Sequence, residues 1–362
     1  MSLNGELSLG GRRVGEDASV FIVAELSANH NQSFEDAVLI IDAASRAGAD
    51  AIKLQTYTPD SLTLRSQAPA FRIRGGNWDG RLLHELYAEA CTPYEWHEGL
   101  FDYARDLGLV AFSSPFDADA VDLLEDLEVP AHKVASFEVI DMPLLRRIGA
   151  TGKPVIMSTG MASLDEISEA LAALDDAGSG PVVLLKCTSG YPAPPEEMNL
   201  RTIPDLRQRF GMPVGLSDHS LAATVPVAAV ALGACVIEKH MTLSRAEPGP
   251  DSGFSLEPHE FADMVAAVRD AEQALGGVSY GPTASEFSSY KLRRSLFVVL
   301  DVRCGEQLTA RNVRSIRPGL GLHPRHLDDV IGCRAARDLP VGTPLAWSDV
   351  VPAPKHPTGG AC

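Results

Sequence analysis

A chain of 362 residues with 45% hydrophobic content can fill a sizeable core, enough for one large domain and a small one. Its formal charge of -17 repels phosphodiester backbones and anionic lipid, which excludes a general nucleic-acid or membrane-surface partner and means that an anionic small substrate needs a local basic pocket. Cys91, Cys187, Cys235, Cys304, Cys333 and Cys362 are scattered without C-x-x-C spacing, so neither a zinc knuckle nor a disulfide framework is indicated. A reduced, cytoplasmic setting fits them. Residues 1–19 carry no apolar core of signal-peptide length, and the longest apolar stretch, 225–237, is too short to span a bilayer and is broken by Gly233.

After the extension 1–19, a repeating alternation runs to residue 276, in which a short β-branched run ends in polar residues and leads into a longer amphipathic segment. The runs 20–24, 51–54, 109–112, 132–135, 155–157, 182–185, 214–216 and 235–237 read as strands. Between them, FEDAVLIIDAASRAG has apolar residues at helical spacing with Gly48 as its stop, and SLDEISEALAALDDAG begins with Ser163 and Glu166 spaced as a capping box. An open doubly wound sheet shares this alternation, but eight units over this span favour a closed (β/α)8 TIM barrel. One connection is unusual: 57–79 is irregular, carries Pro59, Pro69, Gly75 and Gly76, and has the length of a lid at a barrel mouth. Residues 277–291 read as a linker, 292–352 as a compact β-rich module too small to rely on its own core, and 353–362 as a disordered tail.

A TIM barrel carries its chemistry at the C-terminal strand ends, and here those ends are polar: Glu25, Lys53 with Gln55, Ser113 with Ser114, Lys133 with Ser136 and Glu138, Ser158, Lys186, Ser217 with His219, and Glu238 with His240. Side chains alternate along a strand, so Lys53 and Gln55 share a face, as do Glu238 and His240. Lysines and serines converging on one mouth are what a phosphate requires, the ammonium groups for charge and the hydroxyls for direction. Any one of these lysines taken singly reads as well as a salt-bridged residue; their recurrence at several strand ends is the stronger signal. His219 and His240 read either as hydrogen-bonded interior histidines or as two ligands of a borderline divalent metal, which would leave positions for water and a substrate carbonyl. Glu25, Glu138 and Glu238 read as charge compensation for the lysines or as catalytic carboxylates.

The runs AELSANHNQ, GADAIKLQTYTPDSLT, FSSPFD, HKVASFE, GKPVIMSTGMAS, CTSGYPAPPEEMNL, GLSDHS, EKHMTL and GPDSGFS resemble the nonulosonic (sialic) acid synthase family over residues 20–352. AELSANH, IKLQTYTPD, NWDGRLLHELYAEA and CTSGYPAPPEEMNL are most similar to its pseudaminic acid branch, with the legionaminic and N-acetylneuraminic branches as alternatives. The resemblance implies a barrel followed by a SAF (antifreeze-like) domain, in a domain-swapped homodimer whose small domains cover the partners' barrel mouths. It implies condensation of phosphoenolpyruvate (PEP) with an open-chain amino sugar, assisted by a divalent cation, Mn2+ first with Mg2+ or Co2+ as alternatives. By the same resemblance His219 and His240 are the metal ligands, and Lys53, Ser114, Lys133, Ser136, Ser158, Ser189 and Ser217 surround PEP. Gln55, Asn77, Tyr191 and Asp251 lie nearer the sugar, and Arg317 of the SAF domain reaches the partner's sugar pocket. Glu25 and Glu138 serve water activation or oxocarbenium stabilisation, and Glu238 the metal neighbourhood. Sialate synthases carry Asn two residues before Tyr191, where this chain has Ser189. A barrel without turnover that merely binds saccharides is the contrasting class.

Overall fold

The computed structural model describes residues 3, 7–15 and 17–352; the tail 353–362 and most of 1–6 lie outside them. Its first elements are β1 (Leu7–Leu9) and β2 (Arg12–Val14), an antiparallel hairpin within the extension. Leu7, Leu9 and Val14 are buried in the same core as the barrel strands, so this part of the extension is folded against the barrel. Eight strands follow: β3 (Phe21–Glu25), β4 (Ala51–Thr56), β5 (Val110–Pro115), β6 (His132–Val134), β7 (Val155–Ser158), β8 (Val182–Cys187), β9 (Val214–Asp218) and β10 (Val236–His240). They pair in parallel, and β10 returns to β3, closing the barrel.

All eight strands stand where apolar runs predict them, but most continue further at their C-terminal ends; β4 reaches Thr56, β5 Pro115 and β10 His240. Hydropathy stops marking a strand when its side chains turn polar. The backbone ladder does not stop, because each N–H and C=O still needs its partner. Inside the barrel the packing is close: a Cβ on Gly215 of β9 would lie 2.5 Å from the Val236 carbonyl oxygen and 2.7 Å from Leu185 Cδ2. The helix Phe34–Arg46 starts at Ser33, whose hydroxyl accepts from the Asp36 N–H, and ends before Gly48, at φ +86°. The helix Leu164–Asp176 starts in the expected capping box, Ser163 and Glu166 each accepting from the other's backbone N–H.

The N-terminal ends of the strands are tied by charge. Asp50, just before β4, pairs with Arg12 of the hairpin through one oxygen, and its other oxygen accepts from the Ile22 N–H at 2.9 Å and from Arg269 at 2.8 Å. Arg269 belongs to the last barrel helix, Pro258–Leu275, so one carboxylate joins the hairpin, β3 and the helix that completes the ring.

The chain divides into two units, Met1–Gly276 and Gly277–Cys362. The second has its own small core of Leu296, Val298, Val302, Leu308, Val313, Val330, Ala335, Leu339 and Leu345. Around it lie the antiparallel pairs β11 (Ser295–Val298) with β12 (Val313–Ile316) and β13 (Arg334–Ala335) with β14 (Val350–Val351). The stretch read as a linker contains two short helical turns, Ala284–Glu286 and Phe287–Tyr290.

Behind the mouth, Asp218 of β9 and Lys239 of β10 lie side by side in the ladder and pair at 2.6 Å with neither side chain exposed. Lys239 also donates to the Ser220 carbonyl. Removing one partner of such a pair strands a buried charge, so Asp218→Ala is expected to cost about 3–5 kcal/mol, whereas Asp218→Leu with Lys239→Met recovers most of it. Denaturant midpoints measure this; an Asp218→Ala midpoint equal to the parent's would show that the pair contributes nothing.

Candidate active site

Period-two alternation sorts the strand-end residues into two sets. Outward go Ser113, whose hydroxyl lies 2.6 Å from Thr56 Oγ1, and Lys186, which donates to the Cys187 carbonyl at 2.6 Å and Thr188 Oγ1 at 3.0 Å. Neither belongs to the mouth, contrary to the expectation from their position alone. Inward go Lys53, Gln55, Lys133, Ser158, Cys187, Ser217, Glu238 and His240, and these share a cavity of about 450 Å³ with Ser136, Glu138, Tyr191, His219 and Asp251.

The floor is a charge cluster. Lys53 Nζ lies 2.8 Å from Glu25 Oε2 and 3.5 Å from Glu238 Oε1, and Lys133 Nζ lies 3.7 Å from that same Glu238 oxygen. Ser217 Oγ donates to it at 3.1 Å. Lys53 also donates to Ser114 Oγ at 3.3 Å, and Lys133 to Ser158 Oγ at 2.7 Å. Burial pulls Lys133 below the usual lysine range. Lys53 is equally buried, yet the Glu238 and Glu25 carboxylates outweigh that and raise it. Burial likewise pushes Glu25 up to about 7 against the opposing pull of Lys53, while for Glu238 the two ammonium groups overcome burial and lower it. Glu138 stands apart on the single turn Ser136–Ile140; burial pushes it up to about 7 and its Oε2 has no hydrogen-bond partner among the described residues. Ser136 Oγ accepts from the Gly160 N–H at 3.1 Å, and a Cβ on Gly160 would come within 2.4 Å of Ser189 Oγ, so that glycine lets two hydroxyls meet there.

The two histidines adjoin this cluster, with ring centroids 5.2 Å apart. His219 Nδ1 lies 2.9 Å from the Thr188 carbonyl oxygen; donation to that oxygen puts the proton on Nδ1 and leaves Nε2 as a lone pair. His240 Nδ1 is buried with no hydrogen-bond partner among the described residues, and burial together with the neighbouring His219 holds that ring neutral. His219 goes the other way: burial would lower it, but the Cys187 sulfur beside Nδ1 raises it. An orphaned buried nitrogen beside an oriented imidazole fits a divalent cation, which would take these two ligands and complete its shell with water and substrate oxygens. Among the described residues no group of three or more His, Cys, Asp or Glu is arranged to hold a metal.

On the sugar side, the amide of Gln55 donates to Glu25 Oε1 and to Ser27 Oγ, each at 2.9 Å, and Ser27 Oγ donates onward to Asp251 Oδ2. The loop after β4 carries Asn77 and Trp78; Asn77 donates to the Tyr191 carbonyl, and Trp78 Nε1 to that of Pro250 at 2.9 Å. Tyr191 packs 4.5 Å from the His219 ring, 5.0 Å from Phe254 and 5.6 Å from Trp78. A second aromatic group, Tyr57 with Tyr87 and Phe116, lines the cavity with Leu62, Leu83 and Leu86.

Of the residues singled out from the sequence, Glu25 and Ser114 sit behind Lys53, Ser189 beside Cys187, and Asn77 against Tyr191, each supporting a residue of the cavity wall. Arg317 is an exposed residue of the second unit. Ser27, Cys187, Tyr57, Trp78 and Phe254 also line the cavity without having been singled out. Cys187 was readable from alternation with Leu185; Ser27 was not, because its placement depends on a turn rather than a strand.

Residues 40–280 match the model of the NeuB family and residues 293–351 that of the SAF domain. The chain is 46% identical to a pseudaminic acid synthase of Campylobacter jejuni, covering 92% of this chain and 97% of that one, and 43% identical to a pseudaminic acid synthase of Helicobacter pylori, covering 91% and 97%. Among solved structures, an N-acetylneuraminic acid synthetase of Leptospira borgpetersenii superposes with a TM-score of 0.70 at 31% identity, covering 79% of this chain and 95% of that one. With the family model spanning most of the barrel and these likenesses running through the second unit, the chain belongs to the NeuB family.

Proposed function

We propose that this chain is a pseudaminic acid synthase, condensing PEP with 2,4-diacetamido-2,4,6-trideoxy-L-altrose to a nine-carbon nonulosonic acid and phosphate. The observation that carries this is the meeting in one cavity of two lysines sharing Glu238 with an oriented histidine pair. The similarity to pseudaminic acid synthases supports the choice of sugar. Legionaminic or N-acetylneuraminic acid synthesis is the second reading, by the same chemistry.

Lys53 and Lys133 hold the phosphate and carboxylate of PEP, with hydroxyls of Ser136, Ser158 and Ser217 as directional donors and Ser114 and Ser189 behind them. Asp251, Tyr191 and Gln55 receive the open-chain sugar, under the loop that Asn77 ties down. C3 of PEP attacks the sugar aldehyde, forming the new C–C bond; water adds at C2, and phosphate leaves with cleavage of its C–O bond. In this reading Glu138, in the cavity wall, and Glu25, behind Lys53, take the proton of that water or stabilise positive charge at C2. His219 and His240 would hold the divalent cation, Mn2+ before Mg2+ or Co2+, which when bound polarises the aldehyde oxygen. Among the described residues no helix is long and apolar enough to cross a membrane, and Cys91, Cys187, Cys235, Cys304 and Cys333 form no disulfide; this reading takes the setting to be cytoplasmic.

Phosphate release and product mass are the readouts, with PEP, Mn2+ and each candidate hexose supplied. Turnover is expected with the trideoxy altrose, to be abolished by chelator and by His219→Ala or His240→Ala in folded protein; turnover only with N-acetylmannosamine would move the assignment to the second reading.

A carboxylate raised to about 7 that must be ionised to act is switched off as pH falls through that value. The rate is therefore expected to fall below about pH 7, where both Glu138 and Glu25 take up protons, and Glu138→Gln to lower it at all pH while making the acid limb shallower, the Glu25 part remaining. An unchanged acid limb in that variant would assign it elsewhere.

The reading includes a domain-swapped homodimer in which Arg317 of one subunit reaches the partner's sugar. Mixing Arg317→Ala subunits with subunits inactivated by His240→Ala is expected to restore part of the activity, through hybrid dimers with one complete site. No complementation, or a monomer by sedimentation, removes the shared site.

A further inference from the structure

Ser27 follows β3 in the tight turn Ser27–His30, with the backbone at φ +49°. That left-handed conformation is easy for glycine and uncommon for a residue with a Cβ. The turn is nevertheless buried, and the Ser27 side chain is fully engaged.

Its hydrogen bonds have a fixed direction. One N–H of the Gln55 amide donates to Glu25 Oε1 and the other to Ser27 Oγ, both at 2.9 Å; the reverse orientation would set an amide oxygen against a carboxylate. With Oγ thus accepting, the serine proton goes to Asp251 Oδ2, which the Ala28 N–H also approaches at 3.4 Å. Both donors address the same oxygen. Oδ1 of Asp251 has no hydrogen-bond partner among the described residues, and Asp251 lines the cavity beside Tyr191.

We infer that Ser27 is a positioning residue for the acceptor sugar: by occupying Oδ2 it turns Oδ1 of Asp251 toward an N–H or O–H donor of the open-chain amino sugar. The left-handed turn is the means, since it carries the residue 27 hydroxyl between Gln55 and Asp251. This rests on the synthase reading above, and it ties Glu25, on the PEP side, to Asp251, on the sugar side, through Gln55 and Ser27.

Ser27→Gly tests it, since glycine suits the backbone and removes only the hydroxyl. KM for the hexose is expected to rise about tenfold, the effect of one lost hydrogen bond to a charged group, with the KM for PEP within roughly twofold of the parent. Ser27→Ala should show the same selective rise, with a lower unfolding midpoint than Ser27→Gly because alanine keeps the strain. In an Asp251→Asn background, Ser27→Gly should add little, since the two act as one unit. An unchanged hexose KM in Ser27→Gly, or equal rises for both substrates, overturns the inference while leaving the synthase assignment intact. Absence of turnover by the unaltered chain with every hexose offered overturns both.

Discussion

One carboxylate oxygen organises the site. Glu238 Oε1 faces the ammonium groups of Lys53 and Lys133 and accepts from Ser217, all three away from solvent. Two buried ammonium groups without it would each carry the desolvation cost of an isolated charge. With it, and with Glu25 on the far side of Lys53, the floor sets two carboxyl groups against two ammonium groups before any ligand enters. An anion arriving there does not meet a bare positive patch. It meets two cations whose contacts with the shared oxygen, at 3.5 and 3.7 Å, are the longest each makes, Lys53 lying closer to Glu25 and Ser114 and Lys133 to Ser158 and the Val134 carbonyl, so the Glu238 contacts are the ones an anion can replace.

That arrangement follows from register. Parallel pairing sets Glu238 beside Ser217, His240 beside Glu25, and Glu25 beside Lys53, so five side chains from four consecutive strands around the barrel face inward together. The same register puts Asp218 beside Lys239 on the other face of those strands, where they neutralise each other. A slip of one residue would exchange the two sets, placing the Asp218–Lys239 pair in the cavity and Glu238 under a helix. The fold is thus specified by polar residues at the mouth as well as by the apolar runs below.

Much of this was legible in the sequence because alternation is a local rule. Glu238 with His240, and Lys53 with Gln55, share a face by spacing alone, and the eight apolar runs marked the strands. What could not be read depended on contacts between distant segments. Ser113 and Lys186 carried the same polar signal as their neighbours, and only the strand phase, set by the whole ladder, sends them outward. Hydropathy hid the hairpin at Leu7–Val14, because two three-residue strands leave too short a pattern. Ser27 lay beyond any periodicity: its role depends on a turn conformation and on Asp251, 224 positions away.

The cavity is built in two ways, and the difference bears on how one family can serve several sugars. Its polar floor is made of strand residues whose positions are fixed by ladder hydrogen bonds on both sides. Its apolar wall comes largely from the connection after β4 and the helix Leu83–Ala90: Tyr57, Leu62, Ile73, Trp78, Leu83, Leu86 and Tyr87. Loops tolerate substitution that a barrel ladder does not. Changes in that wall can alter the space for deoxy positions and acetamido groups while the lysines, Glu238 and the histidines stay in register. The two parts meet at Tyr191, which packs on His219 and on Trp78 alike, so a change in the loop would be felt first at the ring that flanks the histidines.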